Sequence, residues 1–277
     1  MRVLITGANS YIGDSFMSYV SNKNYQVDTI DMMTKEWIET DFSKYEVVLH
    51  VAAIVHKKER DYTNEEYYKI NTELAFDVAE KAKCSGVKQF ILMSTMNVYG
   101  KDVGIISNET SLSPVTAYGK TKLKAEQMIQ ELCDDSFSVV ILRPPIVYGK
   151  NCKGNYVTLS KFAKKLPFFP DYESYRSMIY IDNLCEFIKK SIDEGLCGVF
   201  CPQDEHYVMT SKMVRLVAKA NGKDIKMTKL FNPLITLGMK LKIRILCKVF
   251  GTLVYDDSLK LEYDRVDLET AIRKTEE

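Results

Sequence analysis

ITGANSYIG, residues Ile5 to Gly13, follows a short apolar run and opens a segment with helical spacing. Glycines stand at positions 7 and 13, and Ser10 stands midway, where a dinucleotide loop would carry another glycine. Two readings are open: a dinucleotide-binding loop with serine at its middle position, or an ordinary strand-to-helix turn. The first has a physical basis, because backbone N–H groups at a helix N-terminus hold phosphate. Serine is the smallest polar substitute for the middle glycine. Its hydroxyl can donate to phosphate or cap the helix that follows.

Working outward, YQVDTID reads as a second strand ending at Asp31, 18 residues after Gly13. A carboxylate there accepts hydrogen bonds from ribose hydroxyls and repels a 2′-phosphate, which favours NAD, while Lys35 nearby keeps NADP open. EVVLHVAA, QFILMST and FSVVILRPP read as further strands, the last stopped by Pro144 and Pro145. NTELAFDVAEKAK carries Leu74, Ala75, Val78, Ala79 and Ala82 at helical spacing, and AYGKTKLKAEQMIQEL reads as another helix. This alternation predicts an α/β fold, a Rossmann-type doubly wound parallel sheet that takes ligands at the carboxyl ends of its strands. After Gly149 the elements shorten and prolines punctuate them. We therefore expect a nucleotide-binding domain over 1–149. A smaller, mostly substrate-binding lobe is expected over 150–277, with segments returning to the main sheet.

The 277 residues are 46% hydrophobic and 27% charged, with a formal net charge of +1, so charge makes no case for nucleic acid. Seven cysteines, an odd number with no C-x-x-C spacing, read as reduced thiols in a cytoplasmic protein. His50, His56 and His206 show no metal-ligand spacing, so no metal is expected. Residues 1–6 read as a strand rather than a leader. No uncharged apolar run reaches the roughly 18 residues of a membrane span. The nearest approach is Phe231 to Tyr255, interrupted by Lys240, Lys242, Arg244 and Lys248. It reads either as an amphipathic helix pair packing on the core or as a basic membrane-surface helix.

Two constellations carry chemistry. Tyr118 and Lys122 lie four residues apart and share one helix face. A free phenol titrates near 10. A nearby ammonium and an oxidised nicotinamide would favour the phenolate, making Tyr118 a base toward a sugar hydroxyl. In MSTMNVYG, Ser94 and Thr95 end an apolar strand, where a hydroxyl can relay a proton to the tyrosine.

Taken together and in this order, these elements resemble the extended short-chain dehydrogenase/reductase family, in particular its NAD-dependent nucleotide-sugar epimerases and dehydratases. TGANSYIG resembles the family's glycine loop, and Asp41-Phe42 its acid-apolar pair at the adenine. HVAA (His50 to Ala53), YYKINT with Asn71, PVTAYGKTK, LRPPIVYG and RSMIYIDNL each resemble a family segment. The tail, VDLETAIRKTEE, resembles its last helix, implying a complete chain. The resemblance implies Thr95, Tyr118 and Lys122 as catalytic residues. It implies Gly7, Ser10, Tyr11, Ile12, Gly13, Asp31, Asp41, Phe42, Val51, Ala52, Ala53, Asn71 and Pro145 beside the cofactor, with Tyr118 and Lys122. Substrate would meet Thr95, Met96, Asn97, Tyr118, Asn155 and Arg176, the last facing its pyrophosphate.

The resemblance implies an NAD-dependent 4-epimerase of a UDP-hexose or UDP-N-acetylhexosamine, working through a transient 4-keto sugar. It further implies a cytoplasmic homodimer in surface polysaccharide biosynthesis. A 4-keto reductase of a UDP-N-acetyl-6-deoxyhexose using NADH or NADPH is the nearest alternative. An inactive nucleotide-sensing protein of the same fold is the alternative from another class. Dehydration is set aside, because Met96 and Asn97 stand where 4,6-dehydratases carry an acid pair. Two further departures are Asn183, in place of the usual acid, and Pro145-Ile146, where epimerases often carry a substrate-contacting asparagine.

Overall fold

A computed structural model describes residues 1–55 and 62–277; His56, weighed above as a metal candidate, lies outside them. The chain opens with β1 (Arg2–Thr6), α1 (Tyr11–Val20), β2 (Gln26–Ile30), α2 (Glu36–Glu39), β3 (Val47–His50), α3 (Asn64–Tyr68), α4 (Leu74–Cys84) and β4 (Gln89–Met93). There follow β5 (Gly104–Ile106), α5 (Ala117–Gln130), β6 (Ser138–Leu142), β7 (Ile146–Tyr148), α6 (Asn155–Lys165), β8 (Phe168–Pro170), β9 (Tyr175–Arg176) and β10 (Met178–Tyr180). The remainder is α7 (Ile181–Asp193), β11 (Gly198–Phe200), β12 (Val208–Met209), α8 (Thr210–Ala220), β13 (Lys226–Thr228), α9 (Asn232–Lys240), α10 (Arg244–Phe250), β14 (Leu253–Tyr255) and α11 (Leu268–Glu276).

Two compact units emerge. One comprises Met1–Gly100, Ser111–Pro144 and Leu184–Pro202, and the other Lys101–Thr110, Pro145–Asn183 and Gln203–Glu277. The chain thus changes unit at several points, and Leu184–Pro202 returns to the first unit with a strand of its main sheet.

The first unit is built on a six-stranded sheet of order β11-β6-β4-β3-β1-β2, with every neighbouring pair parallel. Strand order reverses between β1 and β3, the switch point at which such sheets take ligands. Alternation along the strands explains the two covered faces. Leu4, Val48, Phe90, Leu92, Val139 and Ile141 pack in one buried cluster with Ala75, Val78, Ala79 and Ala82 of α4 and Ala125 and Ile129 of α5. The alanines let α4 lie close to the sheet. On the opposite face Ile5 lies directly beneath Gly13 of α1. The side-chain amide of Gln89 ties the end of α7 to β4 by donating to the carbonyls of Ser191 and Leu196, at 2.8 and 3.0 Å. A π-helical turn at Lys69–Glu73 precedes α4, a feature the helical spacing of the sequence does not reveal.

The second unit holds a four-stranded sheet of order β12-β9-β14-β5 and two parallel pairs, β7 with β10 and β8 with β13. Its helices are joined around Glu276, whose carboxylate accepts from Tyr156, Ser160 and Asn221 and pairs with Lys164 at 2.8 Å. A second buried centre surrounds Asp204, which accepts from the Tyr148 hydroxyl, the Tyr180 N–H and the Asn183 amide. Burial pushes the Asp204 carboxyl up to about 6, against those hydrogen bonds. Here the departure at Asn183 finds its reason. Its Nδ2 donates to Asp204 and to the Val266 carbonyl, while its Oδ1 accepts the Val266 N–H at 2.7 Å. An ionised carboxylate has no proton to donate and would face Asp204 with like charge.

Residues 231–255 hold a helix pair, α9 and α10, followed by β14. Among the described residues no helix is long and apolar enough to cross a membrane. Asn183→Asp should lower stability by about 2–3 kcal/mol at neutral pH, read by denaturant unfolding. A loss within about 0.5 kcal/mol would show that the amide is not needed there.

Candidate functional site

The loop after β1 is built for close approach. Gly7 has φ of 121°, and a Cβ there would stand 2.9 Å from the Ala52 backbone nitrogen. A side chain at Gly13 would meet Ile5 and, at 2.5 Å, the Ser10 hydroxyl. Ser10 is the N-cap of α1, its Oγ accepting the Gly13 N–H at 3.3 Å. That is the capping role of the two open to it. Tyr11 and Ile12 are the first two helical residues, whose N–H groups have no acceptor within the helix. They face the position an anion takes at such a terminus.

Around this loop the parallel register assembles the rest. Thr6 pairs with Ile30, so Asp31 emerges beside Gly7, exposed, with one carboxylate oxygen accepting the Met33 N–H at 2.8 Å. Val51 and Ala52 donate their N–H groups to the Thr6 carbonyl, and Val51 to Ala53 are half-buried. Asp41 is exposed and caps a short turn by accepting from Ser43, whose hydrogen bonds hold its carboxyl below the usual range. Phe42 is fully buried in the hydrophobic cluster, so its ring supports the site from behind rather than lining it. Pro145 is buried at the start of the second unit.

Asn71 is also placed behind the lining. It is fully buried, and its Oδ1 accepts the Ile54 N–H at 2.7 Å. Its Nδ2 donates to the Ile54 carbonyl and to the Thr121 hydroxyl, at 3.4 and 3.3 Å. Its amide is therefore spent on protein. It clamps the segment after β3 to α5, one residue from Lys122. These contacts give Asn71 a positioning role, beside the place at the cofactor that the sequence suggests.

The catalytic candidates meet in the first unit. Gly119 lets the start of α5 approach the turn at Met96–Tyr99, since a Cβ there would stand 2.8 Å from the Asn97 carbonyl oxygen. Thr95 caps that turn, accepting the Asn97 N–H at 3.2 Å, and its hydroxyl lies near enough to Tyr118 to work against the burial of the phenol. Burial pushes the Tyr118 phenol up to about 12, and the Thr95 contact offsets this only in part. The sequence suggested that Lys122 would pull the phenol down, but in the folded chain desolvation dominates. Met96 is half-buried and Asn97 exposed.

Lys122 is fully buried, and among the described residues its Nζ has no hydrogen-bond partner. Burial lowers it to about 8, and the Glu126 carboxylate works the other way. An ammonium buried without a partner is costly. A ribose hydroxyl of a bound dinucleotide is a partner of the right chemistry. With the glycine loop, the N-terminus of α1 and the strand-end Asp31, the residues fit NAD. His50 lies in the same electrostatic neighbourhood. Burial, aided by Lys122, lowers it to about 3, so it is neutral, and its Nδ1 pairs with the Thr6 hydroxyl at 2.8 Å.

Sequence reasoning missed the group under Lys122. Glu126, one turn further along α5, is buried and paired with Arg143 at 2.6 Å, and Arg143 also donates to the Tyr99 hydroxyl at 2.9 Å. The Ser94 hydroxyl donates to Glu126. The four-residue spacing of Tyr118, Lys122 and Glu126 was the available signal. In the second unit, Asn155 is exposed at the start of α6. Arg176 donates to the Cys247 and Lys248 carbonyls at 2.6 and 2.9 Å, while its Nε has no partner among the described residues. Among the described residues no group of three or more His, Cys, Asp or Glu side chains could hold a metal ion.

Because Lys122 gives up its proton more easily folded than unfolded, the unfolded chain binds more protons between about pH 8 and 10.5. Lys122 should therefore contribute a rise in stability with pH across that window, on the order of 3 kcal/mol, read as the difference between the parent and a chain without the ammonium, because the raised tyrosines and cysteines act in the opposite direction. Lys122→Met should abolish this rise, be at least as stable as the parent at pH 7, and bind NAD more than about tenfold more weakly. Denaturant unfolding against pH and calorimetric titration check both halves. A Met variant that keeps the rise would place the charge elsewhere.

Residues 3–199 match the sequence profile of the NAD dependent epimerase/dehydratase family. The UDP-glucose 4-epimerase of Vibrio cholerae is 33% identical over 236 residues, spanning 79% of this chain and 71% of that protein. The N-acetyl-alpha-D-glucosaminyl-diphospho-ditrans,octacis-undecaprenol 4-epimerase of Escherichia coli O157:H7 is 25% identical over 258 residues, spanning 86% and 77%. Among solved structures, UDP-glucuronic acid 4-epimerase from Bacillus cereus in complex with NAD superposes with a TM-score of 0.74, at 20% identity over 99% of this chain and 94% of that one, a likeness of fold. Profile, relative and sheet agree: the chain belongs to the NAD dependent epimerase/dehydratase family.

Proposed function

We propose that the protein is an NAD-dependent 4-epimerase of a UDP-sugar, a UDP-hexose or UDP-N-acetylhexosamine. The observation that carries this reading is the juxtaposition of Thr95, at the end of β4, with Tyr118 of α5, the helix that also carries the buried Lys122 ammonium, without a hydrogen-bond partner among the described residues. It occurs in a chain 33% identical to a UDP-glucose 4-epimerase. A bound NAD would supply reversible hydride acceptance and a positive charge. Thr95 orients the C4 hydroxyl and relays its proton, and Tyr118 as phenolate receives it. Lys122 holds the nicotinamide ribose and stabilises the phenolate. Tyr118 then returns the proton once the transient 4-keto sugar has turned its other face. Gly7, Ser10, Tyr11, Ile12 and Gly13 form the pyrophosphate cradle, and Asp31 receives the adenosine ribose. Asp41, the backbone at Phe42, Val51 to Ala53 and Pro145 border the remaining cofactor. Met96, Asn97, Asn155 and Arg176 are assigned to substrate, the last two making the second unit the substrate-binding lobe.

The same reading makes the enzyme a cytoplasmic homodimer serving surface polysaccharide synthesis. Its free thiols support the compartment, and the relative named for a lipid-linked amino sugar supports the role. Purified protein supplied with NAD and a panel of UDP-sugars should interconvert one C4 pair with no net accumulation of NADH. Tyr118→Phe should lower turnover by about 10²-fold or more while leaving NAD binding within a few-fold. Stoichiometric consumption of NADH on a 4-keto sugar, without epimerisation, would overturn the reading in favour of a reductase.

A further inference from the structure

The helix pair at 232–250 presents an outer face that its own unit does not use. Ile235 and Gly238 of α9 and Cys247 and Phe250 of α10 are buried. Leu230, Leu234, Leu237 and Leu241 recur at helical spacing on the other side. Leu230, Leu234 and Leu241, with Ile245 of α10, each leave 67% to 77% of their surface exposed. Phe231 extends the patch by stacking on the half-exposed Phe168, ring centroids 5.7 Å apart. A helix face turned to water ordinarily carries polar side chains. A contiguous apolar patch marks a surface that meets something else.

Charge says what that is. Between residues 225 and 255 there are six Lys or Arg and no Asp or Glu, in a chain whose totals are 38 and 37. All six are exposed. Lys240, Lys242 and Arg244 crowd the turn between the helices. Lys242 there has φ of 53°, and the Ile243 N–H reaches back to the Gly238 carbonyl at 3.0 Å. This closing pattern usually places glycine at the left-handed position, so here a cation stands where the backbone favours no side chain. An apolar stripe on a hairpin whose own charges are all cations is complementary to an apolar layer rimmed by anions. A second copy of the same face would bring six cations against six.

We propose that the α9–α10 hairpin docks on an anionic phospholipid bilayer, lying in its interface with the leucines among the acyl chains and the cations at the headgroups. The helices are far too short to span the bilayer, so the attachment is peripheral and reversible.

Flotation of the full chain with vesicles tests this, using phosphatidylcholine alone and phosphatidylcholine mixed with phosphatidylglycerol. The protein should float with the mixed vesicles and little with the neutral ones, and added salt should release it. Lys240→Gln with Lys242→Gln should weaken binding about twentyfold. Leu234→Glu with Leu237→Glu should weaken it more than about tenfold, with unfolding midpoints unchanged because both side chains face outward. Leu234→Ser with Leu237→Ser serves as the second variant should the glutamates impair folding. Absence of flotation with the anionic vesicles, or variants that float like the parent, would overturn the proposal. So would self-association that the leucine variants abolish without any vesicle binding, which would assign the face to a second copy.

Discussion

The burial of one ammonium group sets the terms for the rest of the site. Lys122 sits fully enclosed at the carboxyl end of a parallel sheet, and no protein atom among the described residues accepts its protons. Such a group costs free energy that the surrounding core has to offset. Neighbouring contacts are arranged to hold it there. Ala125 and Ile129 seat α5 on the sheet, and Gly119 lets its first turn reach the Thr95 turn. Asn71 ties α5 to the segment after β3. Glu126 supplies a counter-charge that is largely committed to Arg143. The charge is thus kept on Lys122 without being quenched.

This arrangement separates preparation from activation. The same burial that lowers Lys122 raises Tyr118, and the Thr95 contact compensates only in part. The free protein therefore holds a protonated phenol beside an unsatisfied cation. It becomes a base only when further positive charge enters. A site so built resists spending its base on water before its ligands arrive. His50 follows the same rule: buried beside the cation, it stays neutral and serves packing and a hydrogen bond to Thr6.

Much of this was legible because it is local. ITGANSYIG shows its strand, loop and helix within nine residues, and Tyr118 with Lys122 is visible as a four-residue spacing. The strand-end positions of Asp31 and Thr95 follow from apolar runs that stop. What escaped depends on contacts between distant segments. Nothing near Asn71 says that its amide is consumed by Ile54 and Thr121, or that Ser94 turns toward Glu126 while Thr95 turns toward Tyr118. Asn183 looked like a lost acid until Val266, 83 residues later, proved to need both a donor and an acceptor. The leucines of α9 are the same kind of case. Helical spacing of apolar residues reads alike whether the stripe faces a core or faces outward, and only the fold decides between them.

The central claim is that the protein encloses Lys122 and half-buries Tyr118 on one helix, so that the phenol is activated only with its cofactor. The most direct measurement is a spectroscopic pH titration of phenolate absorbance. It compares the parent chain with Tyr118→Phe, each with and without NAD, so that the difference isolates Tyr118. Without NAD the Tyr118 signal should appear only near pH 12, and with NAD bound it should move down by several pH units. A Tyr118 titration that is the same with and without bound NAD would contradict it.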